Sequence, residues 1–306
     1  MMAGSTDILD QLYLGGNVFE FRALHHGFRV AFAILAVSAA VSFEAVSQAP
    51  AGNSAGPPSP GTSLEDELNS GVAAYKTAHY EEAIAHFRRA VELDPGSTMA
   101  KVYLATALAQ NVVPGLDTPE NLQTARVSIA IFQEVLERTP HDVNSMKQIA
   151  GIYFSVKQLE EAKTWQKKVL EEDPRDPEAA YTIGVIDWNK AHQNVLKAMM
   201  PAGVIDDGEG NLKAPPQVLE TIKSQNSALV EEALQYLNQA LESRPEYDDA
   251  MAYMNLVYRR KADLDWQDDA ARQEDLARAK EWARKAMETR KANEERRMSG
   301  PPAQNN

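Results

Sequence analysis

A chain of 306 residues that is 44% hydrophobic and one-quarter charged carries enough apolar side chain for a large core, which excludes a wholly disordered protein. Its net charge of −13 argues against nucleic-acid binding, which needs clustered Lys and Arg, and is read as a solvated, solubilising surface. The absence of cysteine excludes a disulfide framework, Cys-ligated zinc and a Cys nucleophile.

Residues 1–49 read as a signal peptide or signal anchor. Arg22 and Arg29 precede an apolar run, Val30–Val41, with small residues at Ser47 and Ala49 beyond it. That run of 12 residues is short against the roughly 20 that cross a bilayer. Cleavage is expected between about Val41 and Pro50, which places the mature protein in the periplasm or cell envelope. The alternatives are an uncleaved membrane anchor and a buried helix, and a basic region nearly 30 residues long is also compatible with a true start near Val18 or Leu24. Residues 50–63 (PAGNSAGPPSPGTS) are uncharged and aperiodic, a flexible linker. Ser63 followed by Asp66 is a capping box that opens the first helix.

From there to about residue 291 every segment has a period near 3.6 and reads as helix, with no alternating strand pattern. Ser97, Thr118-Pro119 and Asp176-Pro177 are helix starts. Pro95, Pro140, Pro174 and Pro245 each close a helix. Their spacings of 45, 34 and 71 exceed a 34-residue period by 11, 0 and 37. Small residues recur on each first helix at Gly71, Ala105, Ala150 and Gly184, with Asn255 at the fifth position, and on each second helix at Ala83, Ser128, Ala162, Ala233 and Ala279. Bulky partners such as Phe87 and Phe132 follow four residues later. Two of these pairs are 12 apart; the other gaps of 23, 49 and 24 place insertions between first and second helices.

This pattern resembles the tetratricopeptide repeat (TPR), most closely at Gly71–Pro95 (GVAAYKTAHYEEAIAHFRRAVELDP). The resemblance implies an all-α superhelical solenoid of about five helix–turn–helix units, 64–97, 98–142, 143–176, 177–247 and 248–291, followed by a disordered tail at 292–306. In unit four the first helix is expected to run past Trp188 through Val195 and Met199, and the second to start after Pro215-Pro216, so that a long hairpin protrudes. Gly203–Pro215 between them is expected to be a solvated turn; the spacing of its Asp206, Asp207, Glu209 and Asn211 does not match a calcium loop.

No phosphate-binding, nucleophile-elbow, zinc-protease or dinucleotide motif is present, and the carboxylates are dispersed over helix faces. His79 and His86 read as surface histidines. The expectation is a non-enzymatic protein with no cofactor and no metal site, binding a protein or peptide and no nucleic acid, and touching a membrane only through an uncleaved N-terminal anchor. The resemblance places its concave groove on the first helix of each unit. The Lys/Asn/Arg clamp of chaperone-binding TPRs is missing there, since Glu65, Leu68 and Val72 occupy matching sites. The expected partner-binding residues are instead Tyr75, Lys147, Phe154, Tyr181, Trp188 and Arg259, aromatic anchors with two cations. Trp188 would lie beside Phe154; the competing reading has the aromatics packed under the chain's own inserted segments. The protruding hairpin is a second binding candidate, and a catalytic or ligand-binding role and self-association through the array's ends are the alternative functions.

Overall fold

The computed structural model describes residues 62–299. The signal segment, nearly all of the linker and the end of the tail lie outside them. The described chain is all α, ten helices joined by turns, with no strand among these residues. It divides after Ala162 into two compact units.

The first unit opens with α1 (Leu64–Lys76) and α2 (Tyr80–Leu93). Ser63 and Asp66 form the capping box that starts α1. Gly71 exists because of Phe87: a Cβ at 71 would stand 2.4 Å from the Phe87 ring. Ala83 and Phe87 are fully buried at this crossing, with Leu68, Ile84, Leu104 and Leu108 completing the core. Helices α3 (Thr98–Gln110) and α4 (Pro119–Arg138) form the next pair. Ser97 and Thr118 cap them with their side chains, and Pro119 occupies the first turn of α4. Here Ser128 takes the small position, and its buried Oγ donates to the Ala105 carbonyl at 2.7 Å. The inserted turn before α4 is closed by Asn121, which accepts from Val113 N–H at 2.8 Å and donates to the carbonyls of Val113 and Leu116. α5 (Val143–Ser155) packs on α4 and leads into α6 (Leu159–Glu172), inside which the division falls.

The turns α1–α2 and α5–α6 are copies of one another. Each has a non-glycine residue in the left-handed region seven positions after the small residue, Ala78 at φ 61° and Lys157 at φ 60°. Each also has the same return bonds, His79 N–H to Ala74 O and Gln158 N–H to Tyr153 O.

The second unit is dominated by long helices. α7 (Pro177–Met199, 23 residues) pairs with α8 (Pro216–Ser243, 28 residues). A Cβ at Gly184 would meet Leu237 Cγ at 2.6 Å, so the glycine sets the approach of the two helices. Along the extension, Val195, Met199, Leu219 and Ile222 are buried. Asn226, fully buried, accepts from Asn194 Nδ2 at 2.9 Å and donates to Ala191 O at 2.9 Å, which pins the register. α9 (Asp248–Leu264) packs on α7 and α8, and α10 (Asp269–Met298, 30 residues) packs on α9.

Two expectations are corrected here. The tail does not begin at 292: α10 continues to Met298, held by Asn293 Nδ2 on Glu246 O and Asp248 Oδ1 and by Arg296 on Glu246. Gly203–Pro215 is not a solvated turn. Gly208, Gly210, Asn211 and Ala214 are buried, and the loop is bonded to α9 and α10.

Candidate partner-binding surface

The six sequence-derived residues lie on the first helices of their pairs, α1, α5, α7 and α9. In the first unit Tyr75, at the end of α1, is half-buried and meets Tyr80 edge-on at 5.4 Å. Burial raises its phenol pKa above the usual tyrosine value, and Tyr80 adds to the shift. Lys147 and Phe154, on α5, are half-buried. The same register places Val72 half-buried on α1, and on α3 Met99 at 53% exposure with Val102 half-buried. Thr106, also on α3, is buried with an Oγ1 that makes no hydrogen bond.

The second unit treats the equivalent positions differently. Tyr181 and Trp188, seven residues apart on α7, are only 7% and 8% exposed. Tyr181 lies 4.9 Å from Tyr247 and 5.6 Å from Tyr253, ring centre to ring centre. Trp188 stacks on His192 at 5.3 Å and meets Tyr253 edge-on at 5.3 Å. These aromatics are packed by Tyr247 and Tyr253 of α9 and its N-cap, which leaves little ring area for a partner. Arg259, half-buried on α9, donates to Gly208 O at 3.1 Å, so the inserted loop reaches this position too. Tyr247, Tyr253 and Tyr258 are buried as well.

Charge is concentrated inside the second unit. Lys163 Nζ donates to Asp187 Oδ1 at 2.5 Å and to Glu232 Oε2 at 2.7 Å, and Lys167 pairs with Glu232 Oε1. Burial pushes the Asp187 carboxyl up to about 6 against the pull of Lys163. Sequence reading passed over Asp187 and Lys163, whose buried pairing has no local signal. Residues 206–211 form the other cluster, with Arg260, Asp263 and Arg272. Asp206 and Asp207 there face guanidinium groups and backbone N–H groups. Among the described residues no group of three or more His, Asp or Glu side chains is placed to hold a metal ion. His86 Nδ1 is 2.7 Å from buried Glu67 and His79 Nδ1 is 2.8 Å from Thr77 Oγ1, so the two histidines have separate partners. No helix among the described residues is long and apolar enough to cross a membrane.

Tetratricopeptide-repeat profiles match residues 68–97 and 146–176, the two uninterrupted units. A Dictyostelium discoideum protein, the STIP1 homolog, is 27% identical in an alignment of 166 positions that covers 47% of this chain. The chain spans 28% of the length of that curated relative. The structure of a MamA double mutant (RS-1 ArsTM) superposes with a TM-score of 0.51 at 15% identity, over 76% of this chain and 97% of that one, a likeness of fold. YrrB, described as a TPR protein with an unusual peptide-binding site, gives a TM-score of 0.46 at 14% identity, over 75% of this chain and 92% of its own.

Proposed function

We propose that this chain, a tetratricopeptide-repeat protein of all-α solenoid fold, is a non-enzymatic scaffold that holds a protein or peptide on the inward positions of its first unit. The repeats support the coarse reading, protein–protein interaction. The observation that carries the finer one is the contrast in cover: Val72, Tyr75, Met99, Val102 and Phe154 keep exposed area where Tyr181 and Trp188 do not. Partly exposed aromatic and aliphatic side chains with one cation, Lys147, suit a peptide with apolar anchors and an acidic group. A photo-crosslinking amino acid at position 75 or 154, introduced in the native host, should yield an adduct with the partner. The same group at position 188 should yield none. Adducts from 188 alone would reverse the assignment.

The same reading places the protein outside the cytoplasm, in the periplasm or cell envelope, and rests on Arg22, Arg29 and the Val30–Val41 run. N-terminal sequencing of the native protein should find a start between about Val41 and Pro50. An intact N-terminus in a membrane fraction would indicate the anchor, and one in the cytosol would remove the location from the account.

A further inference from the structure

One buried guanidinium in the second unit serves two carboxylates, only one of which belongs to its own helix. Arg260, 4% exposed, pairs with Asp206 of the inserted loop through Nη1–Oδ2 at 2.9 Å and Nη2–Oδ1 at 3.0 Å. Its Nη1 is also 3.3 Å from Oδ2 of Asp263, one turn along α9. Asp263 is fully buried. Its Oδ1 accepts from Asn211 Nδ2 at 2.8 Å, and its Oδ2 makes no hydrogen bond. With both carboxylates ionised, these three side chains carry one unbalanced negative charge, and Asp263 holds its share out of contact with water.

The surrounding elements supply further charges. From α7, His192 Nδ1 stands 3.6 Å from Asp206 Oδ2. From the loop, Asp207 Oδ1 accepts the N–H groups of Glu209 and Asn211. From α9, Arg259 donates to Gly208 O, and Lys261 is engaged by Asp265 and Asp275. From α10, Arg272 donates to Glu209 O and pairs with Asp269.

We infer that the loop Gly203–Pro215 is a proton-fastened clasp: closing it brings Asp206 onto Arg260 and seals Asp263 from water, so that closure is favoured when the Asp263 carboxyl takes up a proton. With the loop open, Asp263 has Arg260 to itself and is hydrated, and an ordinary carboxylate needs no proton at neutral pH. Burial pushes the closed-state Asp263 up to about 7; Arg260 opposes this and Asp206 adds to it. Burial would also raise Asp206, but the charge and bonds of Arg260 outweigh it and keep that carboxyl below its usual range. Burial, then Arg260, holds His192 below the ordinary histidine value, so it stays neutral where Asp263 titrates. A carboxyl raised on closing favours the closed loop as pH falls through about 7 and not above it. A histidine lowered on closing loosens the loop again at more acid pH, so the clasp is tightest in a mildly acidic window.

Hydrogen–deuterium exchange of the full chain, corrected for the intrinsic pH dependence of the chemistry, tests this on peptides covering 203–215. Loop protection should be about two- to fourfold higher at pH 6.5 than at pH 8.5, for an Asp263 value near 7 closed and ordinary open, with His192 cancelling up to half of the gain. The Asp263→Asn variant should remove that dependence while α8 keeps its protection. Loop protection equal at the two pH values, absent at both, or moving only in step with the amides of α8 would overturn the inference. So would the same dependence persisting in Asp263→Asn. The wild-type series decides alone if that variant does not fold.

Discussion

Asp187, Asp263 and Asp275 share a predicament: each carboxyl is buried, and burial pushes it up to about 6, 7 and 6 respectively despite a nearby cation. A folded-state value above the unfolded one means the native protein binds more protons, so these groups add stability as pH falls from about 8 toward 5. His192, lowered by burial, opposes them over part of that range, but it is one group against three. Urea denaturation should therefore give a higher midpoint at pH 5.5 than at pH 8, and a flat or reversed trend would contradict the burial assigned to them. Packing is equally local at Gly71 and Trp188. Gly71→Ala forces a Cβ into the Phe87 ring at 2.4 Å and should cost about 1–3 kcal/mol. Trp188→Ala removes a ring wedged between His192 and Tyr253 and should cost about 3–5 kcal/mol, read as a fall of several degrees in Tm. The small positions were legible in the sequence because a repeat forces them to recur. The burial of Tyr181 and Trp188 stood there only as the competing reading, because a repeat template fixes which way a side chain points and not what lies over it; the cover comes from Tyr247 and Tyr253 and not from the inserted segment.

At the scale of elements, helix starts could be read because caps are short-range chemistry: Ser63, Ser97, Thr118 and Asp176 each accept an N–H two or three residues on. The paired turns at Ala78 and Lys157 escaped notice because neither residue is the glycine that normally marks a left-handed conformation. Lys157→Gly relieves that conformation at an exposed site and should raise stability by about 0.5–1 kcal/mol, net of the glycine's entropy in the unfolded chain. A drop in Tm for this variant would mean the turn is held by the Lys157 side chain and not by its backbone bonds. The inserted loop was misread for a different reason. Asp206, Asn211 and Glu209 meet their partners Arg260, Asp263 and Arg272 across 54, 52 and 63 residues, and no local pattern of acidic and glycine residues announces such a docking. The end of α10 follows the same rule, since Asn293 and Arg296 are ordered by Glu246 and Asp248.

For the whole molecule, the repeat period and the helical content were legible because both are written as spacing. The proposed binding surface was legible only as a set of candidate positions, of which the structure leaves Tyr75, Lys147 and Phe154 partly open and covers Tyr181 and Trp188. Loss of an aromatic anchor at an interface commonly costs 2 kcal/mol or more, about thirtyfold in affinity, whereas loss of a packing aromatic lowers stability and leaves affinity alone. The two roles therefore separate when melting and capture are measured on the same purified variants. The deciding measurement compares Tyr75→Ala/Phe154→Ala with Trp188→Ala, scoring thermal melting beside the quantity of partner retained from an extract of the native host, corrected for folded fraction. The account predicts that the double variant loses at least tenfold in capture with near-normal melting, while Trp188→Ala melts several degrees lower and captures normally. Normal capture by the double variant together with lost capture by a folded Trp188→Ala would contradict it.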